Sequence, residues 1–194
     1  DTLICVILFS NEVCLEHDTG AGHPECSLRL RTVLNELTES PIAGTRWMRN
    51  DPATSEDICR VHSKEYFDLI YAAKGQQARL DADTVLSPKS VEAALIAAGG
   101  GRSALQAIQD GQTNSAFVLS RPPGHHAEAE RGMGFCLFNN IAVAAAYALD
   151  ILNYQRVLIV DWDVHHGNAT QHMFENDPRV LFFSTHQYPF YPGT

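Results

Sequence analysis

The chain has 194 residues, 45% of them hydrophobic, which is enough for one globular domain around one sizeable core. Asp and Glu outnumber Lys and Arg by 23 to 14, a formal charge of −9. That balance argues against a protein held on nucleic-acid phosphates by a basic patch, and suits cationic partners such as polyamines or basic protein tails.

Leu3 to Phe9 is a short apolar run that suits a buried strand, and the stretch after it, through Pro24, is rich in loop formers. Leu30, Val33, Leu34 and Leu37 share one helical face before Pro41. Ser55, Asp57 and Ile58 open a second helix that is expected to continue to about Ala73. Ser90 to Ile108 is Ala-rich and helical in pattern. Its Gly99, Gly100 and Gly101 have no phosphate-loop spacing around them, so they read as close packing between helices. Ala116 to Leu119 is a short strand that leads into RPPGHHAEAERGMGF, and Asn140 to Leu149 is helical again. Val157 to Val160 is the clearest strand. It is followed by DWDVHHGN, by a helix through Phe174 and by a strand at Val180 to Phe183. Strand, loop, helix and strand in alternation predict an α/β fold, a parallel sheet flanked by helices on both faces, with chemistry at the carboxyl ends of the strands.

Five cysteines, Cys5, Cys14, Cys26, Cys59 and Cys136, are scattered without a CxxC pair, which predicts a reducing compartment rather than a disulfide framework. The apolar start lacks the basic flank and cleavage site of a signal peptide. Ile141 to Leu152 is interrupted by Asp150 and is too short for a membrane span. A cytoplasmic protein, or a nuclear one if the source is eukaryotic, is expected, with neither nucleic acid nor membrane as partner.

Of nine histidines, four form two adjacent pairs, His125-His126 and His165-His166, each just beyond a predicted strand. A lone histidine is usually structural, but paired ones in Gly-punctuated loops at strand ends point to function. In an extended segment Asp161, Asp163 and His165 project to one side, so a carboxylate and an imidazole two residues apart can share a cation. Zinc accepts such ligands and leaves a position open in a catalytic site. The same spacing also fits a loop whose Asp and His pair with each other and cap the next helix.

RPPGHHAEAERGMGFCLFNN, Arg121 to Asn140, and VLIVDWDVHHGNATQ, Val157 to Gln171, together resemble the paired signatures of the zinc-dependent histone deacetylase and acetylpolyamine amidohydrolase family. HPECSLRLR, RVHSKEYF, DADTVLSP and the terminal STHQYPFYPGT resemble it in the same order, so the likeness spans nearly the whole chain. RPPGHH and Asn168 are closer to class II and bacterial deacetylase-like members than to class I.

The resemblance implies that Asp163 and His165 are zinc ligands. His126 would be the general base and then acid, and His125, oriented by Asp161, would stabilise developing charge. Asn168 would orient His126 where class I relatives carry an aspartate, and its uncharged amide should support the imidazolium less strongly than that aspartate, so that the substitution lowers the His126 pKa. Gly134 and Phe135 would line an acyl-lysine tunnel, with the Gly134 carbonyl receiving the substrate amide N–H and Tyr191 opposite. Asp83 would hold the substrate backbone at the rim, and Arg29 would guide acetate in an internal cavity. Potassium would sit at Asp161, Asp163, His165, Ser184 and Thr185, and a second potassium at Phe174, Asp177 and Val180. His186, His172, His62, His23 and His17 are expected to be structural, and Cys136 a packing cysteine.

The implied reaction is hydrolysis of an acyl amide by metal-activated water, on an acetylated protein tail or a small acetylated amine, without an acyl-enzyme. The family's further zinc-binding aspartate and its transition-state tyrosine fall beyond the segment matched by YPFYPGT. Residues 1–194 are therefore expected to be a partial catalytic domain, incomplete at the C-terminus, inactive alone and completed by a missing C-terminal part. The other readings are an inactive acetyl-group-binding scaffold of the same fold, and a manganese ureohydrolase of the related arginase fold, which would need a two-metal carboxylate set.

Overall fold

The computed structural model describes residues 6–194. Strand β1, Val6–Ser10, is its centre, while Leu3, Ile4 and Cys5 of the expected strand lie outside the described residues. β1 pairs in parallel with β2, Thr45–Arg49, on one side and β5, Ser115–Leu119, on the other. Its interior residues alternate between two packed faces, with the helix Ser90–Gln109 contributing to both clusters. Ile7 and Phe9 pack with Ala104 and Ala107, whereas Leu8 packs with Cys14, Leu30 and Ile96. A strand buried on both faces has no polar face, which is why VILF reads as a continuous apolar run. β2 was not anticipated, because TRWMR is a polar edge strand without apolar alternation.

Helix α1 is Ser27–Glu39, and its Leu30, Leu34 and Leu37 face the core as expected, but Val33 is exposed. The helix expected from Ser55 to Ala73 is two helices. α2, Ser55–Ile58, is opened by a capping box in which Thr54 and Asp57 satisfy each other's backbone N–H groups. α3, Lys64–Ala72, starts afresh on the Ser63 cap. Two outside contacts stop the first helix from running on. Ser63 N–H reaches the Ala129 carbonyl at 2.9 Å, and His62 Nδ1 turns inward to the Glu128 carbonyl at 2.9 Å. Two-residue strands β3, Ala78–Arg79, and β4, Val85–Leu86, form a small antiparallel ribbon.

α4, Ser90–Gln109, carries the Gly triplet, and the structure shows why no side chain fits there. A Cβ on Gly99 would strike the backbone carbonyl of Asp51. One on Gly100 would lie 2.5 Å from Val118, and one on Gly101 would lie 2.5 Å from Ala144 of α5, Asn140–Asp150. The triplet lets α4 lie directly against the 51–53 loop, β5 and α5, the close packing that the sequence suggests.

β6, Val157–Asp161, and β7, Val180–Ser184, pair in parallel around α6, Asn168–Phe174. Ile159 packs with Ala142, Ala145 and Phe174, while Leu158, Val160, Leu181 and Phe183 are exposed. Among the described residues no helix is long and apolar enough to cross a membrane. Cys14, Cys26, Cys59 and Cys136 are free thiols.

Two buried histidines predict how stability depends on pH. Burial holds His17 and His62 at about 4, below the ordinary 6.5, so both stay neutral in the fold. His17 Nδ1 meets Ser90 Oγ at 2.6 Å, and His62 Nε2 accepts the Asn139 N–H at 2.9 Å. Between pH 6.5 and about 4 the unfolded chain binds protons that the folded chain does not. Stability is therefore complete above pH 6.5 and falls on acidification by about 1.4 kcal/mol per pH unit for each imidazole. Urea unfolding of the full-length protein at pH 7 and pH 5 should show this loss, and His17→Asn should remove the share that belongs to His17.

Candidate active site

The site is built from loops that follow β5, β6 and β7, strands from the two parallel sheets. β5 ends at Leu119 and the chain runs through RPPG to His125 and His126. β6 ends at Asp161 and runs to Asp163 and His165. β7 is followed by the segment that carries Tyr191. Carboxyl-end placement of chemistry is what the alternation predicts.

His125 Nδ1 lies 2.9 Å from Asp161 Oδ2 and His126 Nδ1 lies 2.7 Å from Asn168 Oδ1. The two imidazoles are adjacent, with ring centroids 3.9 Å apart. Burial alone would raise the Asp161 carboxyl. The bonds from His125 and from the Asp163 N–H outweigh it and hold the group below its ordinary value. Desolvation, with His125 adding to it, pushes His126 down to about 4, while its bond to Asn168 pulls upward. The low value thus comes first from burial, and the Asn168 bond offsets part of it. A neutral imidazole held at Nδ1 keeps Nε2 free to take a proton.

Asp163 Oδ1 sits 3.1 Å from His165 Nδ1 and also accepts the His165 N–H at 2.8 Å. The pair touch each other and share the cavity wall, whereas α6 starts on Gly167 without a side-chain cap, so the expected capping of the next helix is not seen. A carboxylate oxygen and an imidazole nitrogen side by side are a donor set that zinc accepts, and they fit as part of such a site. Among the described residues no third His, Cys, Asp or Glu joins them to complete a metal-holding group.

Pro24, Glu25, Arg29, Asp83, Pro123, His125, His126, Gly134, Phe135, Asp163, His165 and Tyr191 line one cavity of about 530 Å³. The nine expected catalytic, zinc-binding and substrate-binding residues on that wall thus meet in one place, and Asp161 and Asn168 stand directly behind the two histidines. The Tyr191 ring stands edge-on to His126 at 4.9 Å and to His165 at 5.9 Å. Burial and the nearby Asp83 carboxyl push the Tyr191 phenol up to about 12. Gly134 has φ of +56°, and a Cβ there would lie 2.5 Å from the His126 ring and 2.9 Å from the Tyr191 hydroxyl. Phe135 follows in the same left-handed region at φ +69°, a conformation costing about 1–3 kcal/mol that its surroundings enforce. Thr84 Oγ1 takes its N–H at 3.1 Å and His23 stands edge-on to its ring at 4.8 Å.

Asp83 accepts His23 Nε2 on its backbone carbonyl at 3.0 Å. Its own carboxyl is raised by burial and by neighbouring Asp81. The Gly134 carbonyl receives the Cys136 thiol at 3.3 Å. Burial raises that thiol strongly and keeps it protonated, in keeping with a packing role. Arg29 reaches the cavity wall with its side chain 64% exposed, in an i,i+4 ion pair with Glu25 at 3.7 Å.

The two regions expected to hold potassium are turns at the ends of β6 and β7. Asp161 is paired with Ser184, and its carbonyl receives the Thr185 N–H at 3.0 Å. Ser184 Oγ lies 2.8 Å from His186 Nδ1. Phe174, Asp177 and Val180 bound two consecutive turns, with Asp177 N–H on the Phe174 carbonyl and Val180 N–H on the Asp177 carbonyl. His166 faces away from the cavity toward Gln171 and Thr194 and stacks on His186.

Sequence reasoning missed Arg121, Glu25 and Glu128. Arg121 grips the Glu25 carboxylate with two bonds, 2.6 and 2.7 Å, and the carbonyls of Cys14 and His17 at 3.0 Å, four residues before His125. Both charges lie inside quoted motifs, HPE and RPPG, but nothing in either motif alone says that they meet.

The histone deacetylase domain model matches residues 23–194. The chain belongs to the histone deacetylase domain family. A probable deacetylase of Archaeoglobus fulgidus is 40% identical over 195 residues, covering 99% of this chain and 54% of that protein. Histone deacetylase 5 of Arabidopsis thaliana is 40% identical over 96% of this chain and 31% of its own length. The crystal structure of the HDA15 HD domain superposes with a TM-score of 0.91 at 37% identity, covering 97% of this chain and 58% of that one. The match confirms the α/β, helix-flanked parallel architecture of a histone deacetylase domain. This chain spans less than two thirds of the length of these relatives.

Proposed function

We propose that the full-length protein hydrolyses acyl amides, removing acetyl groups from acetyl-lysine in protein tails or from small acetylated amines, with one zinc ion. The observation that carries this reading is the convergence of two oriented imidazoles, His125 on Asp161 and His126 on Asn168, with the Asp163 and His165 pair in one cavity. Asp163 and His165 would hold the zinc, which when bound supplies Lewis-acid polarisation and a more acidic water. His126, neutral and with Nε2 free, takes the proton of the attacking water and returns it to the leaving nitrogen. His125, backed by the Asp161 carboxylate, supports charge as it develops. Phe135 and Tyr191 offer aromatic walls to a methylene stem. The turns at Asp161 to Thr185 and at Phe174 to Val180 would take potassium.

The test is acetate release by the full-length gene product from an acetyl-lysine peptide and from an acetylpolyamine, with and without a zinc chelator. Chelator-sensitive release supports the reading and ranks the two substrates. Intact, zinc-loaded protein that releases nothing from either would favour the binding-only scaffold, and two bound manganese ions would favour the ureohydrolase.

A further inference from the structure

Asn168 differs from a carboxylate in having two unlike ends. With its oxygen toward His126, as here, the imidazole carries its hydrogen on Nδ1 and leaves Nε2 without one. Turned by half a rotation, the amide would offer NH2 to Nδ1, and the hydrogen would move to Nε2, which could then accept no proton. The shape of an amide is nearly the same either way, so packing around Asn168 does not decide between them. The partner on its far side does. Asn168 Nδ2 lies 2.5 Å from Glu128 Oε1, and an ionised carboxylate accepts hydrogen bonds and donates none. The second neighbour of Nδ2, Met133 Sδ at 4.0 Å, is also an acceptor.

Glu128 is itself held in place. Its N–H reaches the Arg131 carbonyl at 2.9 Å, its carbonyl takes His62 Nδ1 at 2.9 Å, and Oε1 also meets His172 Nδ1 at 3.0 Å. His172, expected to be merely structural, is the outer end of a chain that runs His126, Asn168, Glu128, His172.

We propose that Glu128 is a positioning residue: its carboxylate fixes the Asn168 amide with the oxygen toward His126 and so selects the His126 tautomer whose Nε2 is free. The inference rests on the reading of His126 as general base. A relative with aspartate at position 168 would have no orientation to set, because either carboxylate oxygen accepts.

That difference supplies the test. In the full-length, zinc-loaded protein, kcat and KM are measured for the parent, Glu128→Leu, Asn168→Asp and the double variant. Glu128→Leu should lower kcat on the order of tenfold, since the misoriented molecules lose their base, with KM and zinc content unchanged. In the Asn168→Asp background the same substitution should add no further loss, a coupling that a double-mutant cycle reads directly. Glu128→Gln, which keeps the shape, should shift kcat the same way by less, and serves if leucine disturbs folding. An equal loss in both backgrounds, or no loss in the parent, overturns the proposal. Nitrogen-15 spectra of the histidine rings give a readout independent of turnover: the parent should show His126 with Nε2 unprotonated, and Glu128→Leu should show a population protonated there. If the parent releases no acetate, the proposed function fails alone, and the ring spectra still decide the role of Glu128.

Discussion

His126→Ala in the full-length protein should lower kcat by about 10²–10⁴-fold while the bound zinc stays near one equivalent, whereas Asp163→Ala should lose the metal. The contrast follows from what each side chain touches. His126 spends Nδ1 on Asn168 and leaves one nitrogen toward the cavity, which suits proton transfer. Asp163 and His165 put an oxygen and a nitrogen side by side, which suits a shared cation. Removing a proton carrier leaves the charge balance of a metal site intact, and removing one of its few anionic ligands does not. Metal analysis after dialysis, beside kcat and KM on whichever acetylated substrate is turned over, separates the two roles. Equal zinc loss in both variants would overturn the assignment.

How much could be read beforehand follows from range along the chain. β1 and β6 are continuous apolar runs and were legible as strands, though only Ile159 of β6 is buried, and the histidine pairs in Gly-punctuated loops drew attention to the segments that bring His125, His126 and His165 to one cavity. The Gly99 to Gly101 reading held because backbone contact is the ordinary reason for consecutive glycines inside a helix. The failures were tertiary. The helix from Ser55 breaks before Ser63 because Ala129 and Glu128, more than sixty residues downstream, take the His62 and Ser63 polar groups. β2 carries an edge pattern that only its register with β1 reveals. Asn168 was read as a weaker aspartate, and the structure shows instead a group with two distinct ends, each with its own partner. The Glu25 and Arg121 pair spans nearly a hundred residues, a distance at which no local pattern speaks.

That buried pair carries the largest expected effect on stability. Arg121→Met should destabilise the full-length protein by about 3–5 kcal/mol, because it leaves the Glu25 carboxylate inside the fold without its main counter-charge. Glu25 would keep only the His17 ring and the exposed Arg29 guanidinium, each at 3.7 Å, and the carbonyls of Cys14 and His17 would lose the guanidinium donor they share. Arg121→Lys should recover only part of the loss, since an ammonium cannot make both carboxylate bonds and reach two carbonyls with one planar fork. The double variant Glu25→Leu with Arg121→Met should be more stable than Arg121→Met alone, because replacing both buried charges by apolar groups removes the uncompensated carboxylate. Denaturant midpoints at pH 7 for the parent, Arg121→Met, Glu25→Leu and the double variant decide this, and a double variant that falls as far as the sum of the two single variants would show that the two side chains do not act as a pair. The same variants should lose turnover beyond their loss of stability. Arg121 begins the loop that delivers His125 and His126, and its grip on Glu25 and the Cys14 and His17 carbonyls ties that loop to the first turn of the chain. A pair so placed links the packing beneath the cavity to the alignment of the two imidazoles, so damage to it should appear in kcat at temperatures where the fold is still intact.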